Sequence, residues 1–353
     1  MSPSRRCGPP SPGRAADPAI PCRSRRATLG GRYNWRMDVA AVSKATRLPR
    51  FRRASEPPTF RLTDDDVEII RQVARHRLMR STHIAALVGR SLDRTNDRLM
   101  RLFHAGYVDR PRAQLDRFPT GSAHYIYALA DRGARLICER DGICGNTEWS
   151  RKNREAGRPF IEHQIEIVNF QVALQHAVAQ RSDVKLIPAE EMNTAASRQP
   201  MQASRAPFAL RAKLTHRGVV REVGVVPDIV FGLELPDSSR RNFMVEIDRG
   251  TMPVTRSDRD QTSFERKMRV YLAAHAAKQH ERQFGWKNFR VLTITTDRQR
   301  VQSIREALRE LRVPRSPGAA LFLFSTFDVL RAGDPLAHEW RDGLGRPARL
   351  IND

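Results

Sequence analysis

Apolar positions between residues 60 and 140 repeat at helical spacing and are punctuated by capping and stop residues. In LTDDDVEIIRQVARHRLM, Val67, Ile70, Val73 and Ala74 fall on one face. Thr63 precedes them as an N-cap with Asp66 three positions on, and three acids fill the first turn, where the helix dipole favours them. A short second helix is predicted over STHIAALV, capped by Ser81 or Thr82 and stopped by Gly89. A third is predicted over residues 92–105, with Leu92, Leu99, Leu102 and Phe103 as its stripe and Gly106 as its end. Two strand-like pieces, YVDRP and AHYIYALA, flank a loop containing Pro and Gly, and a fourth helix starts at Asp131.

From residue 160 helical and strand periods alternate. Helices are predicted over residues 160–180, 263–279 and 301–311. Strands are predicted over 184–188, one or two within 208–220, then 223–235, 242–248, 289–295 and 320–324. This half reads as α/β, a mixed sheet with helices on its faces. Residues 146–159 are polar and basic and read as a linker, and residues 331–353 read as a Gly/Pro-punctuated tail. The first 56 residues are rich in Pro, Gly, Ser and Arg without any period, the composition of a disordered basic arm. Met37, which opens MDVAAVSK, is an alternative start.

Charge changes the picture most. Lys and Arg number 62 against 39 Asp and Glu, a net +23, and only seven of the cations are lysine. Such a field favours polyanions, with nucleic acid the commonest. A GC-rich coding bias would also raise Arg, so charge needs motifs beside it. No apolar run approaches the roughly 18 residues of a membrane span, and no apolar core of a secretory signal is visible. Cys7, Cys22, Cys138 and Cys144 suit neither a disulfide framework nor a zinc pattern, so a reducing cytoplasm is expected. Walker A and dinucleotide glycine loops are missing, which disfavours an ATPase or dehydrogenase.

Three helices followed by a two-stranded wing is the winged helix-turn-helix plan, expected over residues 57–145. The run RLMRLFHAGYVDR followed by YIYALADRGARLI resembles winged-helix regulators in general. On the third helix Arg94, Arg98 and Arg101 share a face opposite the Leu stripe, and Thr95 and Asn96 lie near its N-terminal part. Together they are the candidate contacts to double-stranded DNA. A solvated helix pairing its arginines with Asp93 and Asp97 would carry the same pattern.

The second signal is a set of carboxylates on apolar strands. Asp228 follows Pro227 in VVPDIVF, and after 17 intervening residues comes Glu246 in NFMVEID. In that strand Phe243, Val245 and Ile247 point one way and Glu246 and Asp248 the other. Adjacent strands would gather Asp228, Glu246 and Asp248, hard oxygen ligands suited to Mg²⁺ or Mn²⁺ and to phosphodiester hydrolysis. Against this stand blander roles: Asp228 in a turn or an arginine pair, Glu246 and Asp248 in pairs with Arg249 and Arg241, Lys267 as a solvated helix residue, and His163 as a helix-orienting residue.

The order of elements over residues 160–330 resembles the PD-(D/E)-x-K nuclease superfamily, whose fold is restriction-endonuclease-like. That resemblance implies Asp228 and Glu246 as metal ligands and Glu166, in preference to Glu162, as the helical acid. The superfamily lysine position is occupied by Asp248, and Lys267 on the next helix would stand in for it. Over about residues 60–324 the chain is similar to the replication-relaxation family of plasmid and mobile-element proteins. Its carrying pieces are LTDDDVEIIRQVARHRLMRSTHIAALV, HQIEIVNF, VPDIVF, and FMVEIDRGTMPV with Lys267 and Tyr271 downstream. The resemblance implies DNA binding in plasmid replication and relaxation, a metal-dependent endodeoxyribonuclease activity, and replication or mobilisation proteins as partners. The alternative is a non-enzymatic replication or transcription regulator with a degenerate nuclease fold. Oligomeric state and target sequence have no signal in the chain.

Overall fold

Thr63 closes a reciprocal capping box on α1 (Asp64–His76): its amide donates to Asp66 Oδ2 at 2.8 Å and its Oγ1 accepts from Asp66 N at 3.4 Å. The structure is a computed structural model describing residues 48–117, 124–142, 144, 148–192, 206–216, 218–258 and 261–351. The arm expected over residues 1–47, including Met37, lies outside the described residues. The rest of that expected arm does not run free. Arg53 Nε donates to the Phe103 carbonyl at 3.1 Å, and the Ala54 amide donates to His104 Nδ1 at 3.0 Å.

After α1 come β1 (Leu78–Arg80), α2 (Ser81–Val88) and α3 (Leu92–His104). Then β2 (Val108–Asp109) and β3 (Ile126–Leu129) complete an antiparallel sheet in the order β1-β3-β2. Ile70, Val73, Leu99, Leu102 and Phe103 meet Met79 and Tyr127 in one core. The sequence pattern misses β1, which is three residues long. α4 (Asp131–Asp141) ends at Gly142, whose left-handed φ of 70° turns the chain back. Cys138 and Cys144 are joined there as a disulfide, which corrects the expectation of none. Their spacing carries no recognisable pattern because the helix end, not the sequence interval, brings them together.

The expected linker is also structured. It contains α5 (Trp149–Glu155), and Asn153 is buried with its Nδ2 donating to the Leu129 carbonyl at 2.7 Å. Polarity misleads here because the amide satisfies a strand carbonyl. The next helix, α6 (Arg158–Ala179), belongs to both halves of the chain. Ile161 and Ile165 pack against Leu78, Ile126 and Ala128 of the small sheet, while Ile167, Phe170 and Leu174 pack on the large one.

The large sheet is built from β4 (Lys185–Pro188), β7 (Ile229–Glu234), β8 (Arg240–Asp248), β9 (Arg290–Thr295), β10 (Phe322–Thr326), β11 (Trp340–Asp342) and β12 (Pro347–Ala348). Its order is β12-β11-β10-β9-β8-β7-β4, with β8, β9 and β10 parallel and the other pairs antiparallel. Short α7 (Ala189–Met192) follows β4, and the hairpin of β5 (Leu210–His216) and β6 (Val219–Val225) stands as a separate pair. The strand predicted over 223–235 therefore breaks at Pro227, between β6 and β7. α8 (Phe264–Ala276), α9 (Gln279–Phe284) and α10 (Arg298–Arg309) follow β8 and β9, and α11 (Phe327–Ala332) follows β10. Residues of α8 and α10 cover one face of the sheet, and those of α6 and α11 cover the other. The expected tail supplies β11 and β12, with Trp340 fully buried and its indole N–H donating to the Pro335 carbonyl at 3.1 Å. The protein is thus a mixed α/β chain with a large mixed sheet. No helix among the described residues is long and apolar enough to cross a membrane.

The contact between α2 and α6 predicts a pH response. The Arg80 amide donates to His83 Nδ1 at 3.3 Å, which leaves the ring proton on Nε2, 2.8 Å from Asn169 Oδ1. Burial, with Arg80 adding to it, pushes the His83 imidazole from 6.5 down to about 4. The fold therefore favours the neutral ring, so this contribution is complete above pH 6.5 and is lost as pH falls from 6.5 toward 4. The loss should reach about 3 kcal/mol near pH 4. Urea midpoints of wild type and His83→Gln at pH 7.5 and 4.5 check this; equal acid losses in both proteins would refute it.

Candidate active site

Asp228 sits immediately before β7, and its backbone N–H donates to the Val245 carbonyl at 2.9 Å, which fixes it beside β8. Its Oδ2 accepts from the Ile247 amide at 2.8 Å, and its Oδ1 lies 3.0 Å from His163 Nε2 on α6. Along β8, Phe243, Val245 and Ile247 join the α6 side of the core while Met244 joins the α8 side. Strand alternation puts Glu246 and Asp248 with Met244, facing α8 and α10.

Lys267 and Tyr271 lie four residues apart on α8 and so share a face. The Lys267 ammonium is 2.5 Å from Glu246 Oε2, and the Tyr271 hydroxyl donates to Glu246 Oε1 at 2.5 Å. Glu246 is 1 % exposed, whereas the Lys267 side chain keeps 28 % of its surface open. The lysine thus bridges a buried carboxylate and solvent. Asp248 is held differently. Arg300 Nε and Nη2 donate to its two oxygens at 2.8 and 3.1 Å, and Thr295 Oγ1 donates at 2.8 Å.

Burial, the largest influence, pushes the Glu246 carboxyl above its ordinary value, and Asp228 adds to this against the pull of Lys267 and Tyr271. For Lys267, burial works downward, but Glu246, then Asp228 and Asp248, outweigh it and hold the ammonium above its ordinary range. Lys267 is therefore a cation at neutral pH. Burial and the Glu246 charge raise the Tyr271 phenol well above its ordinary value, so it remains a donor.

Asp228, Glu246, Asp248 and Lys267 therefore come together, while Glu166 does not join them. Its carboxylate accepts from Arg331 at 2.5 Å and from Asn169 at 2.8 Å. Glu162 pairs with Arg249 and with Arg158. The α6 group that reaches the strand acids is His163, one turn before Glu166. His163 and Tyr271 were visible as residues of HQIEIVNF and of the lysine–tyrosine pair, although their partners were not. Arg300 gave no signal, because the chain folds 52 positions back to meet Asp248.

On α3 the candidate DNA contacts divide. Arg94 is exposed and Asn96 half-buried. Thr95 is fully buried, and its hydroxyl donates to the Ser91 carbonyl at 3.0 Å, so it has no path to a base edge. Arg98 turns back onto α1, where its Nε donates to Asp66 Oδ1 at 2.7 Å. Arg101 pairs with Asp97 one turn earlier at 3.0 Å.

The carboxylates at the strand ends are hard oxygen donors, the type a divalent cation such as Mg²⁺ takes. Mg²⁺ is commonly held by one or two carboxylates, with water and phosphate oxygens completing its shell. Asp228 and Glu246 are two such carboxylates, although, like the two Asp248 oxygens held by Arg300, their oxygens already have partners: the Ile247 amide and His163 for Asp228, Lys267 and Tyr271 for Glu246. Among the described residues no group of three or more His, Cys, Asp or Glu is placed to hold a metal ion.

The fold and site define a mixed α/β protein with a Lys–Glu–Tyr cluster at the carboxyl end of β8, beside Asp228 and Asp248. A family model described as Replication-relaxation matches residues 70–287, from within α1 to beyond α9 and more than half of the chain. The chain belongs to the replication-relaxation family. No curated protein and no solved structure matches it.

Proposed function

We propose that the protein binds double-stranded DNA through a winged helix-turn-helix spanning α1–β3 and cuts it with a PD-(D/E)-x-K-like site in plasmid or mobile-element replication. The element order and the β1-β3-β2 sheet support the first part. The observation that carries the second is the approach of Lys267 Nζ to 2.5 Å from Glu246, beside Asp228. It supplies from α8 the cation that the strand lacks at Asp248. Asp228 and Glu246 would hold Mg²⁺ or Mn²⁺, which when bound polarises a phosphate oxygen and acidifies water. Lys267, part-exposed and cationic, would sit against the phosphate and stabilise its developing charge. Tyr271 orients Glu246, His163 orients Asp228, and the Arg300 pair keeps Asp248 fixed beside them.

A second reading has its own observation: both Glu246 oxygens are occupied and the residue is almost fully buried, as suits a degenerate site in a non-enzymatic regulator. Nicking of supercoiled plasmid with Mg²⁺ or Mn²⁺ separates the two. Asp228→Asn keeps an oxygen for the Ile247 amide and should fold like wild type. Its nicking rate should fall by at least about 100-fold, in the range of a lost transition-state electrostatic contact. Absence of nicking by wild type with either ion would leave the regulator reading standing.

A further inference from the structure

A cleft of about 490 Å³ lies where the end of α3, the chain leaving β2 and α5 meet. Arg52, Arg53, Arg110, Arg112 and Arg154 line it with a single acid, Asp109. That acid is already paired with Arg53 and accepts from Asn153. The Arg52, Arg112 and Arg154 side chains are exposed and have no hydrogen-bond or ion-pair partner among the described residues. Five guanidiniums thus surround one concavity with one neutralising charge.

Arg110 is the unusual member. It is 8 % exposed, yet its hydrogen-bond partners are neutral: the Arg50 carbonyl at 2.7 Å and the Tyr127 hydroxyl at 3.0 Å. Its guanidinium lies over the rings of Phe103, Tyr125 and Tyr127 at 4.4, 4.7 and 5.1 Å. Its Nε is buried without any partner. Aromatic faces offset part of a buried cation's desolvation, but a missing carboxylate leaves charge and one donor unmatched. The excess positive field reaches His104, whose imidazole is lowered by burial and then by Arg110 and Arg53.

We propose that this cleft binds a phosphate group, with Arg110 as its floor and Arg112 and Arg154 as its rim. A phosphate brings the charge that the cluster lacks and enough oxygens for several guanidinium forks at once. A carboxylate supplies two oxygens and one charge, too few for this many donors. The phosphate can come from a DNA backbone, which rests on the DNA-binding reading above, or from a free phosphate or nucleotide, which does not.

The test uses the full chain, Arg112→Gln/Arg154→Gln, and a control of equal charge, Arg282→Gln/Arg309→Gln, on α9 and α10. Inorganic phosphate is titrated at constant ionic strength, after matching melting curves have shown that both variants fold. Wild type and control should bind alike, and the cleft variant at least tenfold more weakly. Duplex binding against salt then identifies the source. A DNA phosphate lost at both arginines should flatten the slope of log K on log[salt] by about 1.8 units relative to the control. An unchanged slope with phosphate binding lost assigns the cleft to a free phosphate ligand. Wild type that binds phosphate but not duplex would sink the DNA-binding reading and leave the cleft intact. Phosphate binding equal in the cleft variant and the control, or absent from wild type, would overturn the proposal.

Discussion

Lys267→Ala should destabilise the protein by about 3 kcal/mol or more, because it strands a buried carboxylate without its cation. Glu246 is 1 % exposed, and apart from Lys267 the group bonded to its carboxylate is the Tyr271 hydroxyl. Burial and Asp228 already push its carboxyl up, so without Lys267 it would take up a proton more readily. The loss should therefore be smaller at acid pH, where the stranded group is neutral. Lys267→Ala/Glu246→Gln should recover much of the loss, since a neutral amide can still accept from Tyr271. Denaturant melts of the two single variants and the double variant form the cycle. Additive effects would mean that the 2.5 Å approach contributes no coupling. The cycle also constrains the nuclease reading, since activity lost in Lys267→Ala counts as chemical only under conditions where the variant remains folded.

Arg98→Ala should cost about 3 kcal/mol for the same reason at the opposite end of the chain. Asp66 is fully buried; it caps α1 through Thr63 and receives two guanidinium nitrogens of Arg98. Removing the arginine leaves that charge with hydroxyl and amide donors alone. Asp66→Asn in the Arg98→Ala background should restore part of the stability. A melting temperature of Arg98→Ala within a degree of wild type would show the pair to be dispensable. DNA binding by α3 is accordingly tested with Arg94→Ala/Arg101→Ala, which leaves α1 and its cap untouched.

These cases mark where local pattern stops informing. Arg94, Arg98 and Arg101 share a helix face by spacing alone, but spacing does not say which neighbour packs on that face. The α1 N-terminus lies there and claims Arg98 through a residue 32 positions away. The expected linker and tail failed similarly. Asn153 and the strands around Trp340 look polar or irregular in isolation, and become structured only because a distant strand edge offers hydrogen-bond partners.

What the sequence determined by itself is what short-range physics controls. The α1 capping box, the α2 end at Gly89 and the α3 end before Gly106 follow from residues within a few positions of one another. So does the split of β8 into an apolar face and an acidic one, since side chains alternate along any strand. The tertiary structure decided which groups meet. It brought Lys267 and Tyr271 to Glu246, His163 in place of Glu166 to Asp228, Arg300 to Asp248, and five arginines to one cleft. Those meetings depend on strand order and on how α6, α8 and α10 lie across the sheet. The energy that sets such packing is spread over the burial of many apolar side chains and is not encoded at the polar positions it brings together.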